Sequence, residues 1–237
     1  MSWETASSEM HRDDVVVGLD IGQQADYSAL SILEVVKTTL VHTDPIRRLE
    51  KHLVEGKPNY NLRYLERLPV GMAYPDQVER VCEIMRNSVF RKRNRHLVID
   101  VTGVGRPIFD LFAKGSMAPI AVLIHGGNNV TSQGRQYNVP KRMLVFTGKA
   151  VLQTGRLRVP STLKLKDTLI RELQNMRVKI DPATAHDSYV SWREREHDDL
   201  VLSLCIALWY VEQRQTKTIR SLYELLRQRD LEEQGVI

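Results

Sequence analysis

Cysteine is nearly absent from this chain, with only Cys82 and Cys205 in 237 residues. Both stand in apolar helical patterns, so they read as free buried thiols of a reducing compartment and not as a disulfide framework. No CxxC or HExxH spacing occurs, which excludes the common zinc patterns. A GxxxxGK[ST] phosphate loop is missing too: "FTGKA" at 146–150 lacks the first glycine at the needed spacing. Long apolar runs are also wanting. The longest, Leu200 to Val211, is too short to cross a bilayer. The polar start "MSWETASSEMHRDD" has no signal-peptide core. Aromatic residues make up only 6%, and no recognition-helix pattern is visible, so little base-specific readout of nucleic acid is expected.

What remains is ordinary globular composition, 42% hydrophobic and 27% charged, at a length that suits one large domain or two small ones. The net charge of +5 is compatible with a nucleic-acid partner. "DVVVGLDIG" (14–22) reads as a buried strand, "SALSILEVV" (28–36) as a second, and 46–56 as the site of a third, with "YNLRYLERLP" continuing the sheet or its edge. Close spacing of these pieces predicts an antiparallel meander. A helix over 74–92 would bury Val78, Val81, Cys82, Met85 and Val89 on one face. Then come a strand in "HLVIDVTG", a short helix in "RPIFDLFAKG", a strand in "APIAVLIHGG" and a polar loop over roughly 125–139. "PKRMLVFTGKAVLQTG" reads as a helix, "RLRVP" as a short strand, and "STLKLKDTLIRELQNM" as a helix with a Ser/Thr cap. "VKIDPATAHDSYVSW" reads as a hairpin, "HDDLVLSLCIALWYVEQ" as a helix apolar on nearly every face, and "TKTIRSLYELLRQRDLEEQG" as a separate amphipathic helix. The expected fold class is α/β, a mixed sheet of an antiparallel meander plus parallel strands flanked by helices. The expected division is a flexible segment over 1–13, one domain over 14–213 and a helical extension over 214–237.

Carboxylates punctuate this pattern. Asp20 ends a strand with no other polar side chain from Val15 onward, Asp100 ends another, and Asp198 and Asp199 open the apolar helix. An aspartate at a helix start is usually a cap, and one at a strand end is often a turn-former. Capping explains one of Asp198 and Asp199, not both. Three distant segments delivering acids to one edge of a sheet would form a strongly negative pocket, which cannot stay ionised without cations. Oxygen ligands without a Cys or His cluster point to Mg²⁺ or Mn²⁺, and a pair of such ions serves in-line displacement at phosphorus. Asp26 is placed to join as an accessory acid, or only shapes its turn; His197 reads as a supporting or structural residue.

"GLDIGQQADYSALSIL", "VIDVTGVGRPIFDLF" and "HDDLVLSLCIALW", in that order, resemble the nuclease domain of bacteriophage large terminase subunits. "VPKRMLVFTGKAVLQTGRLRVPSTLKLKDTLIRELQNM" resembles the stretch between that family's second and third acidic motifs, and the likeness spans about residues 14 to 212. The resemblance implies a ribonuclease H-like fold and cleavage of concatemeric viral double-stranded DNA by two Mg²⁺ or Mn²⁺ ions. It places the metal-binding, catalytic acids at Asp20, Asp100 and the Asp198/Asp199 pair, with Asp26 accessory. It implies the host cell cytoplasm as the place of action, and a small terminase and portal as partners. Complete members carry an ATPase motor domain. Without a phosphate loop, this chain is expected to be an excised domain or a separately encoded subunit that works with such a motor.

Basic charge agrees with a DNA substrate. Between Thr131 and Lys179 stand eleven Lys and Arg against two Asp and Glu. Arg135, Lys141, Arg142 and Lys149 are the candidate DNA contacts there, and "RNSVFRKRNRH" (86–96) is a second basic cluster. A Holliday-junction resolvase or transposase-type nuclease would share the fold and the metals. "VGLDIG" also resembles the first phosphate motif of actin-like and sugar-kinase ATPases, although no second glycine-rich adenosine motif accompanies it. A non-catalytic assembly module remains a third class, with Ile219, Leu222, Leu225 and Leu226 on one face of the last helix.

Overall fold

A computed structural model describes residues 5–22, 26–43, 51–90, 92–103, 106–115, 117–175 and 198–233, with side chains left undescribed at 5–13, 38–43, 51–55, 106 and 217–233. Nine strands form one sheet among these residues. β1 (Thr5–Asp20) and β2 (Ser28–Thr43) pair antiparallel, and β4 (Asn59–Leu68) pairs antiparallel with the first half of β2. β3 (Lys51–Glu55) lies against the far half of β2, from Thr39 to Thr43. On the other side of β1 the strands turn parallel: β5 (Asn94–Asp100), β6 (Ile120–His125) and β8 (Gln136–Pro140) follow in that order. β7 (Thr131–Gln133) closes that edge antiparallel to β8, and the short β9 (Leu157–Arg158) runs parallel to β4 at the other edge. This is the meander-plus-parallel sheet that the alternation of the sequence predicts.

Side-chain period decides which layer each strand residue serves. Val15, Val17, Leu19, Leu97 and Ile99 face the layer of α1 (Tyr74–Arg86) and α2 (Arg106–Lys114). Val16 and Val98 face the other layer, where α5 (Asp199–Glu233) packs with α3 (Lys141–Gln153) and α4 (Lys166–Asn175). Asp20 and Asp100 have the parity of Val16 and Val98, so they belong to the α5 face.

Several elements depart from expectation. β1 begins at Thr5, inside the stretch expected to be flexible, because its Thr/Ser-rich residues pair with β2 back to Thr5↔His42. α1 stops at Arg86, and a 3-10 turn at Ser88–Phe90 leaves Val89 exposed instead of on the buried face. The 125–139 stretch is not all loop: β7 and β8 form a hairpin around Gly134, which takes a positive φ of 58°. α4 starts at Lys166, after turns that end on Leu165 at φ 64°, so Ser161 and Thr162 do not cap it. Neither Gly nor Pro interrupts 199–233, and the two helices expected there are one. Cys82 and Cys205 are free and buried. The hairpin expected at 177–191 lies outside the described residues. No helix among the described residues is long and apolar enough to cross a membrane.

Candidate active site

β1 and β5 pair in parallel register with Asp20 opposite Asp100, so two strand ends deliver carboxylates side by side, one strand spacing of about 4.8 Å apart. Both are buried, at 9% and 6% exposure. α5 brings the third acid. Gly18 lets the helix lie on β1: a Cβ there would stand 2.0 Å from the Ser203 carbonyl oxygen. Ser203 is one helical turn beyond Asp199, so this close approach seats the start of α5 over the ends of β1 and β5. Asp199 is buried, while Asp198, just before the helix, is partly exposed.

The local backbone supports this arrangement. The Thr102 amide donates to Asp100 Oδ1 at 2.8 Å, and Thr102 Oγ1 accepts from the Ile124 amide at 2.7 Å. Asp100 therefore shapes its turn as well as facing the site. Across the loop after β1, the Gly22 amide donates to Ser28 Oγ at 3.0 Å.

Burial, followed by the charges of Asp100, Asp199 and Asp198, pushes the Asp20 carboxyl well above the ordinary carboxylate range, while Lys141 pulls it back. Two cations answer the remaining acids. Lys141 Nζ lies 3.3 Å from Asp198 Oδ2, and Arg67 Nη2 lies 3.6 Å from Asp199 Oδ2. The same Arg67 nitrogen donates to Glu172 Oε1 at 2.6 Å, and Glu172 Oε2 accepts from the Val201 amide at 3.0 Å. Burial raises the Glu172 carboxyl to about 7 against the pull of Val201 and Arg67. Among the described residues, no three His, Cys, Asp or Glu side chains stand ready to hold a metal ion. Asp198 is turned toward Lys141, whereas Arg67 stands at the longer distance from Asp199 and closer to Glu172.

Unfolded, Asp20 titrates near its ordinary 3.8; folded, it keeps its proton to higher pH. Its contribution to stability is therefore full below that value and is lost as pH rises through the folded titration. The D20N variant lacks this loss. Thermal melts in EDTA should place D20N above the wild type at pH 7, with the gap closing as pH falls toward about 4. A gap that is constant with pH would contradict the buried like-charge cluster.

The other predicted residues divide. Asp26 is exposed on a bend between β1 and β2 and is not among the charges acting most strongly on Asp20. His197 lies outside the described residues. Of the basic candidates, Arg135 donates to the carbonyls of Ala118 and Pro119, and Arg142 to that of Asn128 at 3.3 Å; these contacts brace the hairpin and its neighbouring loop. Lys149 is exposed on α3. The 86–96 cluster runs into the start of β5, the end opposite Asp100, and its Arg93 is bound to buried Glu34 at 2.6 Å. That cluster therefore does not flank the acids. Arg67 and Glu172 were not anticipated. A faint signal existed for Glu172, which lies three residues after Leu169 on the buried stripe of α4.

Two crystal structures of the large terminase nuclease from thermophilic phage G20c match this architecture. One shares 22% identity over 82% of this chain and 81% of that one, with a TM-score of 0.52. The other, with bound zinc, shares 22% identity over 82% and 80%, with a TM-score of 0.50. The chain has the fold of a large terminase nuclease. No protein-family model matches it, and no curated protein does. In this terminase-nuclease fold, Asp20, Asp100 and Asp199 occupy the end of the sheet where α/β folds collect ligands, the carboxyl ends of parallel strands beside a helix N-terminus.

Proposed function

We propose that the chain is a metal-dependent endonuclease that hydrolyses phosphodiester bonds in double-stranded DNA, cutting concatemeric viral DNA during genome packaging. The observation that carries this reading is the in-register pair Asp20 and Asp100 on the face where Asp199 opens α5, with the Asp20 carboxyl pushed above the ordinary carboxylate range by burial and like charges. Such a site gains most from a divalent cation, which removes the repulsion. The donor set fits, because Asp20, Asp100, Asp198 and Asp199 offer only hard oxygens, which favour Mg²⁺ or Mn²⁺. The zinc in the second terminase nuclease is consistent with a divalent ion on this fold.

When bound, the ions supply an activated water and a counter-charge for the leaving oxygen. The chain's own residues do the rest. Asp20 and Asp100 fix two ligand positions from rigid strand ends, and α5 sets the third with Asp199. Lys141 covers Asp198 and stands beside the acids, where its ammonium can reach a substrate phosphate once Asp198 turns to a cation. Lys149 adds backbone affinity without base readout. A separate ATPase motor, a small terminase and a portal are the proposed partners, and the host cell cytoplasm the proposed place of action.

Incubation of the protein with supercoiled plasmid in Mn²⁺, Mg²⁺ or EDTA tests the reading. Nicking and linearisation in either metal, absent in EDTA, are the expected result. A plasmid left intact in both metals would refute it, and preferential cutting of four-way junctions over linear duplex would redirect it to a resolvase.

A further inference from the structure

Arg67 serves two carboxylates with one nitrogen, and the distances are unequal. Nη2 is 2.6 Å from Glu172 and 3.6 Å from Asp199. Its guanidinium also lies over the Tyr27 ring, 4.9 Å from the centroid. Arg67 Nε is buried and has no hydrogen-bond partner among the described residues. The guanidinium therefore has unused donor capacity close to a site acid, and what draws it aside is Glu172. Glu172 is itself fixed from α5, because its second oxygen accepts the Val201 amide at 3.0 Å, two residues past Asp199. Glu172 is 8% exposed, so its charge acts with little screening by water.

We infer that Glu172 is a positioning residue which keeps Arg67 at the longer of its two distances from the acids, so that Arg67 competes less with a divalent cation for Asp199. This rests on the metal-site reading above. Without the Glu172 charge, Arg67 moves onto Asp199 and competes with the cation for it. Arg67 is then the antagonist and Glu172 its restraint, an arrangement that a helix cap alone would not produce. A cap would stabilise α5 whatever stood at position 67.

E172Q separates the two roles. The glutamine keeps the volume and an acceptor for the Val201 amide but removes the charge that holds Arg67. Mn²⁺ titration calorimetry at pH 8, on the wild type, E172Q, R67Q and the double variant, with a thermal melt of each in EDTA, reads the outcome. E172Q is expected to bind Mn²⁺ about tenfold or more weakly, the usual effect of losing an outer partner of a metal ligand. The E172Q/R67Q double variant is expected to recover most of that affinity, because the competing cation is gone. E172Q affinity within twofold of wild type, or a double variant as weak as E172Q, overturns the inference. If E172Q alone fails to fold, R67Q carries the test: it should bind Mn²⁺ at least as tightly as wild type, and a tenfold weaker R67Q would overturn it. A wild type that takes up no Mn²⁺ defeats the metal-site reading itself, whereas uptake unchanged across the variants defeats only this step.

Discussion

D20N is expected to lose metal-dependent cleavage by more than about a hundredfold while binding duplex DNA as tightly as the wild type or more tightly. The first half follows from place. Asp20 is the acid on which the other charges converge: Asp100 is its register partner, and Asp199 and Asp198 act on it from α5. Losing a residue that only supports a ligand costs about ten- to a hundredfold, so losing Asp20, a direct ligand under the proposed function, should cost more. Asparagine matches the shape and removes the charge that a divalent ion needs. The second half follows from charge, since one negative group fewer near the backbone cannot weaken the hold on phosphates. Plasmid nicking rates in Mn²⁺ and gel-shift affinity in EDTA check both halves. Wild-type cutting by D20N would remove Asp20 from the chemistry, and cutting lost together with DNA binding would mean damage to the fold.

The acids at the strand ends were legible because burial patterning is local. A run such as Val15 to Leu19 can only be a buried strand, and a lone aspartate at its end must either turn the chain or face something. Asp100 does both, through the Thr102 amide and through its register with Asp20. The α5 helix was legible for the same reason, since Leu200 to Val211 has almost no polar interruption. Its length was not: residues 212–220 change from apolar to charged, which looks like a boundary, yet no Gly or Pro breaks the backbone hydrogen bonding. The β7–β8 hairpin was hidden because its residues from Thr131 to Gln136 are exposed and show no alternation to read. Glu172 and Arg67 were hidden for a deeper reason. They are 105 positions apart, and the charge of Arg67 explains the burial of Glu172 only once the fold joins them. The basic run over 131–179 says little about DNA contact, because Arg135 and Arg142 donate to carbonyls and Lys141 to Asp198.

G18A is expected to lower stability by about 3 kcal/mol, the upper end of ordinary overpacking, and to lower the melting temperature by roughly 6–12 °C at about 2–4 °C per kcal/mol. Gly18 is in mid-strand at ordinary φ, so no conformational need for glycine explains it. The cause is contact. The new Cβ would stand 2.0 Å from the Ser203 carbonyl oxygen and 3.0 Å from Ala207 Cβ, and the nearest of these atoms is backbone, which cannot rotate aside. β1 is itself fixed between β2 and β5, so α5 must lift from the sheet by about an ångström or more before ordinary van der Waals contact is restored. Asp199 rides on the same helix one turn earlier, and it would move away from Asp20 and Asp100 with it. Cleavage should therefore fall more than the loss of folded protein accounts for, since misplacement of about 1 Å can cost a hundredfold. Melting curves, with nicking rates measured well below the lowered melting temperature, separate the two effects. A G18A protein with wild-type melting temperature and rate would show that α5 does not need this contact to hold Asp199 over the strand ends.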